Sequence, residues 1–148
     1  MFHVVLVEPE IPPNTGNVAR LCWASGGALH LVRPLGFKID DKTLVRAGMD
    51  YWKQLDVRLW DSLAELQAAH PQGRFWYLTT KSIRRYWDVA FAPGDFLVFG
   101  RETRGLPEPL LAAHPDETLT IPMQPGTRSL NLATSAGIVL YEALRQVG

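Results

Sequence analysis

Short apolar runs alternate along this chain with longer stretches in which apolar residues recur at helical spacing. Residues 2–7 are the first such run. Glu8, Pro9, Pro12 and Pro13 close it, which predicts a buried strand followed by a non-helical loop. Asn14 is a good N-cap and predicts a helix to about Ser25, with Val18, Leu21 and Cys22 on one face and Gly26-Gly27 as its stop. Residues 28–32 predict a second strand, whereas residues 33–54 are irregular or weakly helical and stay unassigned. Residues 55–60 predict a third strand, and Asp61 or Ser62 can cap a short amphipathic helix that runs through Ala69 and stops at His70-Pro71. Aromatic-rich strands follow at 75–79 and 96–99, then a short helix at 106–113 with Pro107 in its first turn and a sixth strand at 118–121. The longest helix is predicted at 131–147, striped by Leu132, Ala136, Leu140, Ala143 and Val147.

Strands and helices alternating at these lengths imply βα units, hence an α/β fold with a mainly parallel sheet covered by helices on both faces. At 148 residues the chain has room for a single domain spanning residues 1–148. Ligands of such sheets bind at the carboxyl ends of the strands, where loop amides and helix N-termini converge. That rule selects the loops after Thr79, Phe99 and Ile121.

Composition narrows the setting. Hydrophobic residues make up 47% and charged residues 20% of the chain, the balance of a globular protein and not of a disordered one. Fifteen basic residues offset fifteen acidic ones, so net charge neither requires nor excludes a polyanionic partner, and any nucleic-acid argument has to be local. The single cysteine, Cys22, cannot form an internal disulfide, and no run reaches the apolar length of a membrane span. The first residues lack the basic region and cleavage site of a secretory signal. A cytoplasmic protein with no membrane association is expected.

The three selected loops are locally basic. They read TKSIRR, GRETRGLP and PMQPGTRSLN and hold Lys81, Arg84, Arg85, Arg101, Arg104 and Arg128, with Glu102 the one acid among them. Such a rim is either an ordinary solvated belt or a phosphate-binding surface. Gly100, Gly105 and Gly126 suit the second reading, because glycine lets backbone amides approach a ligand closely, and they suit ordinary turns equally. No G-x-G-x-x-G follows the first strand and no G-x-x-x-x-G-K-[ST] occurs, which disfavours a dinucleotide site and a P-loop. His3, His30, His70 and His114 are scattered without metal-ligand spacing, so no metal is expected.

Three ordered segments carry a resemblance. Residues 14–20 (NTGNVAR), 99–107 (FGRETRGLP), and 121–123 with 129–132 (IPM and SLNL) resemble the three motifs of the SPOUT RNA methyltransferases. In the middle of the chain, Gly36-Phe37 to Asp40-Asp41-Lys42 and residues 46–52 (RAGMDYW) resemble the small YibK-like branch. Members of that branch methylate the ribose of the wobble cytidine or uridine, nucleotide 34, in leucine tRNAs. The resemblance spans almost the whole chain.

The resemblance implies a deep trefoil knot in the C-terminal part, which periodicity alone does not propose because knots are very rare. It implies S-adenosylmethionine as methyl donor, held largely by backbone groups at Leu78, Thr79, Gly100, Glu102, Ile121, Met123, Ser129, Leu130 and Asn131. Arg20 falls beside the target ribose and phosphate as the catalytic residue. A guanidinium keeps its proton in proteins, so orientation and stabilisation of the developing alkoxide suit Arg20 better than a role as base. Arg84, Arg85, Arg104 and Arg128 become candidate RNA contacts, and Tyr141 is either another contact or core. Arg101 stands where some relatives carry proline. The implied partner is the anticodon stem-loop of a tRNA, gripped by a homodimer that joins two basic rims into one surface. The aliphatic faces of the helices at Asn14 and Asn131 are candidate contact surfaces, although periodicity favours core. Methylation of another tRNA or rRNA site, a small-molecule methyltransferase and a noncatalytic RNA-binding module are the alternatives.

Overall fold

The computed structural model describes residues 1–40, 42–47 and 54–148. Asp41 and the Gly48-to-Trp52 part of the middle resemblance lie outside the described residues. The strands β1 (His3–Val7), β2 (Ala28–Val32), β3 (Val57–Trp60), β4 (Phe75–Leu78), β5 (Phe96–Phe99) and β6 (Thr118–Leu119) form a sheet in the order β3-β2-β1-β5-β4-β6. Every pairing between them is parallel. The helices are α1 (Pro12–Ser25), α2 (Lys42–Ala47), α3 (Leu63–Ala69), α4 (Glu108–Ala113) and α5 (Leu132–Val147).

β1 is central, with Leu6 beside Leu31 on one side and Phe99 on the other. Because a parallel sheet is covered on both faces, its strands are apolar throughout, and alternate residues enter different cores. Val4, Leu6, Leu29, Leu31, Leu97 and Phe99 join the core under α1, α2 and α5, whereas Val5, Val7, Tyr77, Phe96 and Val98 join the core under α3 and α4.

The elements expected from sequence are present, with corrections at their ends. The expected loop through Pro13 is instead the first turn of α1, with Ile11 as N-cap. Proline fits there because its missing N–H would have no helical partner in any case. Asn14 is therefore buried inside the helix and does not cap it. Ser62 caps α3, its hydroxyl accepting from the Glu65 N–H at 3.1 Å, while Asp61 pairs with Arg33. Pro107 is the N-cap of α4, not part of its first turn, and leaves Leu106 outside the helix and buried in the second core. The strands expected at 55–60, 75–79 and 118–121 are shorter than predicted, although Thr79 N–H still donates to Leu119 O and Thr120 N–H to Arg84 O. In the unassigned stretch, α2 packs on α1 and buries Leu44. The aliphatic faces of α1 and α5 are core: Val18, Cys22, Leu132, Ala136, Leu140 and Ala143 are buried, and Val147 alone of the stripe is exposed.

Three histidines that are far apart in sequence meet on the α3 side of the sheet. Trp60 Nε1–H donates to His30 Nδ1 at 3.0 Å, which leaves the His30 proton on Nε2, 2.9 Å from His3 Nδ1. His70 packs on both rings and on Phe96. Burial lowers the pKa of His30 to about 3 and pulls His3 below its ordinary value as well. Among the described residues, no group of three His, Cys, Asp or Glu side chains is placed to hold a metal ion.

Candidate active site

The sheet order reverses at β1 and β5. The chain runs outward from β1 through β2 to β3 and resumes on the other side with β4 and β5. Beyond the carboxyl ends of β4, β5 and β6 lies a cavity of about 560 Å³, a size suited to a small molecule. The end of β4 and the loop after it supply Leu78 and Thr79, the loop after β5 supplies Gly100 and Glu102, and the loop after β6 supplies Ile121 and Met123. Ser129, Leu130 and Asn131 close it from the turn into α5. All nine residues to which the resemblance assigned the donor thus line one cavity, and Arg104 and Arg128 line it too. Arg20, Arg84, Arg85 and Tyr141 lie outside that lining. Arg20 is exposed on α1, and Tyr141 is 48% exposed on α5, so it is not core.

Local chemistry explains the cavity's shape. Gly105, at φ 68°, turns the β5 loop back on itself, and Arg101 and Gly105 exchange backbone hydrogen bonds. A Cβ on Gly100 would sit 2.2 Å from the Gly105 carbonyl carbon, so only glycine admits this closure. Side chains from the three motifs then lock together. Asn131 caps α5 by accepting from Ala133 and Thr134 N–H, and its amide donates to Asn14 Oδ1 at 3.0 Å. Glu102 turns its carboxylate onto the start of α1, accepting from the Glu10 and Ile11 N–H groups. Glu10 answers by accepting from Thr103 N–H and hydroxyl, at 3.0 and 2.8 Å, and from Arg101 Nη2. Ile11, Asn14, Arg101 and Thr103 therefore complete the wall, although sequence reading had not assigned them to it. The asparagine partnership joins residues of two recognised motifs, which is the one signal that could have suggested it.

The basic rim is less uniform than its composition. Lys81 pairs with Glu108, Arg85 with Asp88 and Arg101 with Glu10, while Arg84 donates to the Asp116 carbonyl. The acids all come from outside the three loops, Asp88 from just beyond one of them. Arg20, Arg104 and Arg128 have no ion-pair or hydrogen-bond partner among the described residues. These three guanidiniums remain available for an anionic ligand, and two of them face the cavity.

A parallel sheet ending in such a cavity, with three interlocked motifs, defines a methyltransferase of the SPOUT class. The chain belongs to the family described as the SpoU rRNA Methylase family, which matches residues 1–141. The fold of that family implies the trefoil knot. The tRNA (cytidine(34)-2′-O)-methyltransferase of Burkholderia ambifaria is 49% identical over 152 residues, covering 100% of this chain and 97% of that one. A Bacillus subtilis protein described as a putative tRNA (cytidine(34)-2′-O)-methyltransferase is 50% identical over 98% of this chain and 92% of its own. Among solved structures, one described as giving insights into the 2-OH methylation of C/U34 on tRNA superposes with a TM-score of 0.93 at 48% identity, covering 99% of this chain and 96% of that one. The SpoU methyltransferase AviRb from Streptomyces viridochromogenes, solved with AdoMet, gives a TM-score of 0.87 at 25% identity over 98% of this chain and 57% of its own. Among the described residues, no helix is long and apolar enough to cross a membrane.

Proposed function

We propose that residues 1–148 act as a single S-adenosylmethionine-dependent tRNA 2′-O-methyltransferase domain, modifying the wobble cytidine or uridine of leucine tRNAs. The convergence of residues from all three motifs on one cavity carries this reading. Its lining combines the apolar Leu78, Ile121, Met123 and Leu130 with Gly100, Ser129 and Asn131. That combination suits an adenine, which needs flat packing and edge hydrogen bonds more than charge. Glu102 contributes through its backbone, because its carboxylate is held by α1.

The bound donor supplies a methyl group already activated as a sulfonium. The chain's own task is to align the ribose 2′-hydroxyl and to stabilise the charge it develops. Arg20, with no side-chain partner among the described residues, suits that role from α1, and Arg104 and Arg128 suit the flanking phosphates. Arg84 and Arg85 would have to leave internal partners to do the same. A homodimer would extend this rim along the RNA, and Trp23 and Tyr141, 44% and 48% exposed on α1 and α5, suit its contact surface. The test is to incubate the protein with labelled donor and bulk tRNA and to map the methylated nucleotide by mass spectrometry. Label at the 2′-oxygen of nucleotide 34 supports the proposal. Label elsewhere in tRNA or rRNA reassigns the substrate, and absence of transfer leaves a noncatalytic module.

A further inference from the structure

We infer that Glu10 is a positioning residue for the donor cavity, acting through Thr103 and Arg101 to hold the β5 loop in register with α1. This rests on the proposed methyltransferase reading and concerns a residue outside the three motifs.

The first observation is that α1 has no side-chain cap of its own. Glu102, from the β5 loop, takes that role at Glu10 and Ile11 N–H, where the helix dipole favours a carboxylate. The second is that, among the described residues, every hydrogen bond accepted by the Glu10 carboxylate comes from the same loop: Thr103 N–H, Thr103 hydroxyl and Arg101 Nη2. The hydrogen bonds from Thr103, then the Arg101 charge, hold its carboxyl below the ordinary glutamate range, so it stays an acceptor at neutral pH. The two carboxylates cross, each reaching from its own segment to the other.

That crossing matters because the joined segments do different jobs. The β5 loop lines the cavity proposed for the donor, whereas α1 carries Asn14 into that cavity and Arg20, the proposed RNA contact, on its exposed face. Transfer requires both reactants at near-attack distance, and a misplacement of about 1 Å costs roughly a hundredfold in rate. Glu10 fixes the separation of the two segments without itself lining the cavity. Arg101 is also oriented by it, since its Nη2 is tied to Glu10 while its Nε is buried without a hydrogen-bond partner among the described residues.

The experiment compares wild type with Glu10→Ala, Glu10→Gln and Thr103→Val. Donor affinity is read by calorimetry and single-turnover transfer at saturating donor and tRNA, well below each melting temperature. Wild type comes first: if it neither binds donor nor methylates RNA, the methyltransferase reading fails and no variant is needed. Given an active wild type, Glu10→Ala should weaken donor binding about tenfold and slow transfer by about a hundredfold. Donor-free tRNA affinity should stay unchanged. Thr103→Val should move both readouts the same way by less, and Glu10→Gln should recover much of the loss, because its amide oxygen can still accept from Thr103. Wild-type binding and turnover in folded Glu10→Ala would reduce Glu10 to a structural brace and overturn the inference. A silent Thr103→Val beside an inactive Glu10→Gln would overturn it too, by showing that Glu10 meets the substrate directly.

Discussion

Arg20 and His30 show how differently a single residue can be placed. Arg20 is exposed and has no partner among the described residues, so its removal leaves no buried group unsatisfied. Arg20→Ala should therefore fold and bind donor like wild type while single-turnover methylation falls by about 100- to 1,000-fold, the usual cost of losing a charged donor aimed at developing negative charge. Arg20→Lys should restore little, since an ammonium lacks the planar fork of a guanidinium. Unchanged turnover in Arg20→Ala would remove it from the site. His30, in contrast, is 0% exposed and bonded on both ring nitrogens. Its folded pKa near 3, against 6.5 for a free imidazole, means that below pH 6.5 protons bind the unfolded chain and not the folded one. Stability is then lost as pH falls, at up to about 1.4 kcal/mol per pH unit from this residue. Urea unfolding between pH 7.5 and 5 should show that slope. His30→Gln, which keeps an acceptor for Trp60 and a donor for His3, should flatten it.

At the scale of elements, the six strands and all the described α-helices but α2 are legible in the sequence because each carries its own periodicity or stop signal, whereas α2 lies in a stretch with neither. Ser62 with Glu65 three positions later is a cap that needs no tertiary knowledge, and Gly26 ends α1 as expected. What is not legible is any partnership across the chain. Asn14 has the polarity of a cap, yet its amide oxygen meets Asn131, 117 positions away. Glu10 and Glu102 reach each other's segments across 92 positions, and three scattered histidines form one cluster. The cavity could still be expected because its motifs are contiguous, whereas the knot came only from family likeness. Gly100 is where local and long-range requirements coincide. Gly100→Ala should distort the β5 loop, abolishing donor binding by calorimetry while circular dichroism still reports the sheet and helices. A variant that binds donor normally would mean the loop can open without consequence.

For the whole molecule, assembly is the next question. The aliphatic stripes of α1 and α5 are mostly spent on the chain's own core, so a dimer built on these two helices would use the apolar residues still exposed on them, Trp23, Tyr141 and Val147. Light scattering at micromolar concentration should give twice the chain mass, and Tyr141→Asp should shift it towards a single chain without lowering donor affinity. A wild-type protein that is monomeric and fully active would end the dimer proposal. The central position of β1 bears on a different stage in the protein's life, its synthesis. β2 and β3 emerge from the ribosome soon after β1, but its other neighbour, β5, follows only after β4. At roughly 5–20 residues per second, the nascent chain carries an incomplete sheet for several seconds, with Val4, Val5 and Leu6 on an open edge. Such an edge invites unwanted pairing, so ribosome-bound chains from which β5 has not yet emerged should be held by chaperones and cleaved readily by protease, and chains long enough for β5 and α5 to have cleared the ribosome should escape both.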